Sequence, residues 1–201
     1  MDTTSIIEWG GFLIITLLVF AETGLLVGLV VPGGETLVFT AGLLVSTGTL
    51  SVAVPVLLIV LIVAGIAGDT SGYFIGRKFG SKLFEKEDTW YFKKKYLHMA
   101  ADYFEKHRKA ALIFGKYLPI IRPFGPVFSG TTNMQLPTFM SLTVIAGVLY
   151  MSTYVLAGYF LGNQFPVIKD YLGWILPISI VLALIPVFNQ IRKSKKNSAA
   201  H

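Results

Sequence analysis

Apolar positions run almost unbroken through four stretches, about 11–31, 52–75, 138–161 and 172–191, while polar residues gather between them. Runs of roughly 20 apolar residues match a ~30 Å hydrocarbon core, so these stretches are predicted to be helices at home in lipid. Two further apolar stretches are interrupted. VVPGGE at 30–35 and FGKYLPIIRPFGP at 114–126 put Pro and Gly where hydropathy points to membrane. A broken backbone leaves peptide groups unpaired, which lipid cannot satisfy, so protein or a wet cavity must shelter it. Ionisable side chains sit in or beside both breaks: Glu22 and Glu35 around the first, Lys116 and Arg122 in the second. A charge at bilayer depth costs about 2.5–3.5 kcal/mol even on insertion scales, so these four are the candidate working residues.

Composition supports that class. Hydrophobic residues make up 54% and charged ones 14%, against roughly a quarter charged in soluble domains. Cysteine is absent, which rules out disulfides, thiolate metal sites and thiol nucleophiles. The opening MDTTSIIEWGG has neither a basic n-region nor a small-residue cleavage site, so the N-terminus is expected to be retained.

The net charge of +6 first suggests nucleic acid, but the placement of the charges argues otherwise. Ten of the 17 Lys and Arg lie between Arg77 and Lys109 and four more between Arg192 and Lys196. By the positive-inside rule that puts the central loop and the C-terminus in the cytoplasm. No nucleic-acid partner and no cofactor are expected.

These anchors fix a topology. The 52–75 helix ends at the basic loop and therefore starts outside, and 172–191 likewise ends inside at RKSKK. For that last helix to start outside, 138–161 must run outward. The 110–137 stretch between the loop and 138–161 then enters and leaves on one face, with Pro119, Pro123, Pro126 and Pro137 to turn it. Residues 33–49 mirror it from the other face, following the break at Pro32 and Gly33; whether 11–31 crosses or forms the first arm is open. The expected fold is an all-α polytopic membrane protein, with two re-entrant, Pro/Gly-broken hairpins in an inverted repeat plus spanning helices. It is a single membrane domain over 1–201: a first half at 10–75, a basic loop at 76–109, a second half at 110–191 and a tail at 192–201.

Gly65, Gly68, Gly72, Gly76 and Gly80 recur every three or four residues, a groove of bare backbone that admits another helix. A homo-oligomer is one option it opens. Asp69, Tyr73 and Arg77 follow at helical spacing; Asp69 and Arg77 are too far apart to pair tightly, which leaves Asp69 for Arg122, Lys116 or a structural role. Leu97, Ala100, Ala101 and Phe104 share one face of a Lys-bordered helix, predicted to lie on the cytoplasmic leaflet. His98 and His107, nine residues apart without supporting ligands, do not make a metal site. The sequence has no nucleophile elbow, Walker loop or two-metal carboxylate cluster, so no enzyme class is expected.

In order, ETG, PGGE, GDTSGYFIGRKFG, FGKYLPIIRPFGPVFSGTTNM and GYFLG resemble the DedA family over about 20–162. The resemblance implies an inner-membrane protein with paired re-entrant elements, associated with envelope integrity and proton-dependent transport. Some members resemble translocases of undecaprenyl phosphate. The family's essential acids match Glu22 and Glu35, and its basic pair matches Lys116 and Arg122, with Pro32, Gly33, Gly34, Pro119 and Gly130 in the supporting motifs. The first basic residue is usually arginine; lysine keeps the charge but loses the bidentate fork. Thr143 and Tyr150 stand near positions where the family often has asparagine and tryptophan.

The residues and the resemblance together lead to a proton-coupled translocase of a lipid phosphate. Lys116 and Arg122 are expected as headgroup ligands, with Glu22 and Glu35 as proton carriers. Glu35, at the start of a half-helix, has the dipole favouring its charge and burial opposing it. The alternatives are a cation/proton antiporter that uses the acids alone, and a membrane scaffold that works through the glycine groove.

Overall fold

The computed structural model describes residues 3–24, 34–85, 94–107, 109–118 and 121–165, which form seven α-helices and two 3₁₀ turns with no strand among them. In chain order the helices are α1 (Thr3–Gly24), α2 (Gly34–Ser46), α3 (Val54–Glu85), α4 (Lys94–His107), α5 (Lys109–Phe114), α6 (Gly125–Thr131) and α7 (Leu136–Gln164). Pro32, Gly33, Pro119, the 172–191 stretch and the basic tail lie outside the described residues.

Among the described residues two helices are long and apolar enough to cross a membrane, α3 over Val54–Gly80 and α7 over Leu136–Gln164. The 13 residues of α2 reach only about 20 Å at 1.5 Å per residue, and α5 and α6 are shorter still. Prolines open several elements, Pro55 in α3 and Pro137 in α7, where a missing N–H costs nothing. Left-handed residues close two of the short ones. Gly48 (φ 72°) follows α2 and Asn133 (φ 52°) follows α6, the usual way to end a helix without orphaning its carbonyls.

Hydroxyls on these apolar helices bond back to their own backbone: Thr16 to the Phe12 carbonyl and Thr23 to that of Val19. A polar group so satisfied can sit in lipid or core at little cost. Large apolar side chains face outward in rows, Leu13, Ile14 and Leu17 on α1 and Val144, Val148 and Leu149 on α7. Such continuous apolar surface suits lipid rather than water.

The core is built by α1, α2, α3 and α7, with Val19, Val38, Leu57, Leu61, Met151 and Val155 fully buried. The helices cross on glycine. A Cβ on Gly42 of α2 would strike the Val155 carbonyl oxygen of α7, and one on Gly158 would strike that of Phe39. The second half repeats the device: Gly76 of α3 sits against the Val127 carbonyl oxygen of α6, and Gly130 against that of Tyr73. In both crossings each glycine lies three residues after the carbonyl of its own helix that meets the opposing glycine. Contacts between the long helices run in opposite order, Gly65 with Met151, Ile66 with Gly147 and Tyr73 with Phe139, so α3 and α7 are antiparallel.

The glycine groove admits other helices as expected, and two further expectations need revision. The chain itself fills the glycine groove: Gly68 receives Phe20 and Thr23 of α1, Gly72 receives Pro126, and Gly80 receives Thr131. The α3 helix does not stop near 75 but continues to Glu85, held at Gly80 by that contact with α6. The apolar face of α4 does not lie free on a leaflet. Ala100 and Phe104 pack onto Ile121, Phe124 and Phe128 of the broken segment.

Candidate functional site

Glu22 lies near the end of α1, two residues before its last glycine, and accepts a hydrogen bond on Oε1 from the Gly34 backbone N–H (3.0 Å). A carboxylate thus caps the positive end of α2. A Cβ on Gly34 would overlap the Glu22 carboxyl group, so a larger residue there would have to displace that side chain from its capping position. Glu35 follows in the first turn of α2.

Arg122 begins the second 3₁₀ turn, Arg122–Phe124, where Pro123 prevents a regular continuation. Its Nη1 lies 3.3 Å from Glu22 Oε1 and 3.1 Å from Glu35 Oε1, so one guanidinium bridges both acids. The other side of Arg122 faces the ring of Tyr150, at 4.7 Å from the centroid, a cation–π contact that is strongest where water is excluded. Tyr150 is buried, and neither its hydroxyl nor Glu22 Oε2 has a hydrogen-bond partner among the described residues.

The other basic residue is held separately. Lys116, in the 3₁₀ turn Gly115–Tyr117, donates a short bond to Asp69 Oδ2 of α3, and both side chains are buried. A buried ion pair is tolerable only with both partners present, since removing one strands a desolvated charge. Between the two ion-pair systems lies a cavity of about 10 Å³ whose wall includes Asp69, Lys116, Arg122 and Thr143, room for about one water molecule.

The structure therefore brings Glu22 of α1, Glu35 of α2, Asp69 of α3 and Lys116 and Arg122 of the broken segment into one largely buried cluster, with Tyr150 of α7 against Arg122. Lys116 and Arg122 each pair with acids of their own chain, Lys116 with Asp69 and Arg122 with Glu22 and Glu35. Tyr73 supports from below, its hydroxyl donating to the Met134 carbonyl (2.5 Å) and its ring stacking on Phe139. Gly130 serves helix packing. Arg77, expected as a supporting residue, is exposed on α3 two turns beyond Asp69, away from the cluster.

The VTT domain matches residues 31–160. The chain belongs to this family, the DedA family of membrane proteins. It is 34% identical to Protein DedA of Escherichia coli (strain K12) over 94% of this chain and 85% of that protein. An "uncharacterized membrane protein" of Mycobacterium tuberculosis (strain ATCC 25618 / H37Rv) is 38% identical over 86% of this chain and 74% of its own length. Inner membrane protein YqjA of E. coli K12 is 25% identical over 87% and 77%. No solved structure matches the chain.

Within this DedA-family fold, sequence reasoning missed one feature and left another to be chosen between named partners. Tyr150 was noted only as a departure from the family pattern, yet its ring is the floor under Arg122. Asp69 was left between several partners, and the structure gives it Lys116. The usable signal was that an isolated acid on a spanning helix demands a buried cation, although sequence alone does not say which.

Proposed function

We propose that this DedA-family protein is a proton-coupled translocase of a lipid phosphate, such as undecaprenyl phosphate or a phospholipid. The observation that carries this reading is Arg122, buried between Glu22 and Glu35 and backed by Tyr150. Carboxylate oxygens occupy the positions on the guanidinium that phosphate oxygens would take, because its planar donor fork fits both. Lys116 supplies a second, point-like charge once it leaves Asp69.

Proton coupling follows from the exchange. When phosphate takes Arg122, the displaced carboxylates lose their cation in a poorly solvated place, where a carboxyl group accepts a proton more readily. Proton and phosphate then travel as linked occupants of one site. With about 10 Å³ between the ion pairs, the state described is closed, and loading requires the broken segment to move.

The antiparallel α3 and α7 and the clustering of Lys and Arg between 77 and 109 support a basic loop and C-terminus in the cytoplasm, with α2 reached from outside and α6 from inside. Short broken helices meeting between antiparallel spans are a known arrangement for a midplane site.

The test is translocation of a fluorescent undecaprenyl phosphate analogue in proteoliposomes, with and without a pH gradient. Native protein should transport it and respond to the gradient. Arg122→Gln should lower the rate by about ten- to hundredfold, the equivalent of losing a charged hydrogen bond at 1.5–3 kcal/mol. Absence of lipid movement, with proton flux driven by added Na⁺ or K⁺ and retained in Arg122→Gln, would replace this reading with cation/proton antiport.

A further inference from the structure

A path of aromatic rings leads from Arg122 to the lipid-facing surface. Tyr150, against the guanidinium, meets Tyr117 edge-on at 5.5 Å between centroids, and Tyr154 completes the group at 4.8 Å from Tyr150 and 6.4 Å from Tyr117. Burial falls along the path: Tyr150 is 1% exposed and Tyr117 is 37% exposed. Around the outer end Phe114, Leu118 and Leu149 are all exposed and apolar, a surface fit for acyl chains rather than water.

Among the described residues one polar contact closes this path at the surface. The Tyr117 hydroxyl lies 3.2 Å from Thr153 Oγ1 on α7. Thr153 spends its only hydrogen on the Leu149 carbonyl (2.8 Å), so Tyr117 must be the donor and Thr153 the acceptor. Tyr117 is the neighbour of Lys116 in one 3₁₀ turn, Gly115–Tyr117. The two residues share a backbone turn, so a shift of that turn away from α7 would carry Lys116 from Asp69 as well as Tyr117 from Thr153, opening the path and freeing a cation in one motion.

We propose that Tyr117 and Thr153 form a lateral latch through which a lipid phosphate passes sideways between the Gly115–Tyr117 turn and α7 to reach Arg122. This rests on the lipid-phosphate reading given above. The anionic headgroup moves inward along the tyrosine rings while its hydrocarbon chain stays in the bilayer, and the released Tyr117 hydroxyl is a donor for the entering phosphate.

The latch can be tested apart from transport, because the chain has no native cysteine. Thr143→Cys places a thiol on the cavity wall. Its reaction with an alkyl maleimide dissolved in the bilayer is compared with that of a charged, water-soluble maleimide, each variant first checked for an unchanged melting temperature. Adding Tyr117→Phe or Thr153→Val should speed labelling by the alkyl reagent about two- to tenfold, the bias of one ordinary hydrogen bond. Thr153→Ser, which keeps the acceptor, should not. Unchanged alkyl labelling, or acceleration confined to the charged reagent, overturns the latch. Failure of native protein to move lipid phosphate instead overturns the transport reading, and the labelling result still decides the latch.

Discussion

At the residue scale the cluster is governed by the cost of burying charge. Asp69 and Lys116 are both buried and bonded to each other, so Asp69→Asn or Lys116→Met alone should cost about 3–5 kcal/mol. Asp69→Leu combined with Lys116→Met should recover most of that stability, as thermal unfolding in detergent would show. The double variant should still transport poorly, since the second cation is gone. Two singles that simply add would mean that the pair is not coupled. Tyr150 makes a different prediction because its two parts do different things. Its hydroxyl has no partner among the described residues, so Tyr150→Phe should leave the melting temperature unchanged or raise it. Tyr150→Leu removes the ring from Arg122 and should cost about 2 kcal/mol or more for a desolvated cation–π contact. The four membrane charges were legible in the sequence because burial makes ionisable residues conspicuous among apolar ones. An aromatic residue in an apolar helix breaks no pattern, and so Tyr150 was not legible as part of the site.

At the element scale, the helices approach closely because the crossings are made of backbone. Gly42 with Gly158 and Gly76 with Gly130 place bare Cα atoms against carbonyl oxygens, which favours close helix contact where lipid supplies no hydrophobic drive. Gly76→Ala and Gly158→Ala should each cost about 1–3 kcal/mol, the range for overpacking, and by similar amounts because the crossings are alike. Gly147→Ala is the control: its new methyl would lie at 3.7 Å from Ile66, an ordinary contact, and should be neutral or stabilising by up to about 1 kcal/mol. The periodicity of Gly65 to Gly80 was readable from sequence, as were α3, α7 and the breaks. Which helix fills the groove was not, because small residues specify close approach without naming a partner. The same limit explains α4. Its amphipathic pattern fixed a helix with one apolar face, but a bilayer surface and the Phe124–Phe128 patch satisfy that face equally well.

At the scale of the whole molecule, each half lends its short arm to the other. The α2 helix crosses α7, α6 crosses α3, and the charged cluster lies where the two exchanges meet. Because α3 and α7 are antiparallel, the turns that precede them should lie on opposite faces of the membrane. Thr49 precedes α3 and Thr132 precedes α7, and both are exposed at the ends of the short arms. Ser129, an alternative marker for the second arm, is 1% exposed and would report burial rather than sidedness. Thr49→Cys and Thr132→Cys in the cysteine-free chain should therefore react with an impermeant maleimide from opposite sides of intact cells and inverted vesicles, Thr49→Cys from outside. The positive-inside rule sets that expected direction, because basic residues between Arg77 and Lys109 favour a cytoplasmic side for the end of α3 that leads into them. If both cysteines label from one side, the short arms would enter from a common face. The cluster could then not be offered alternately to the two leaflets by rocking one half against the other, and the transport reading would lose the geometry on which it depends.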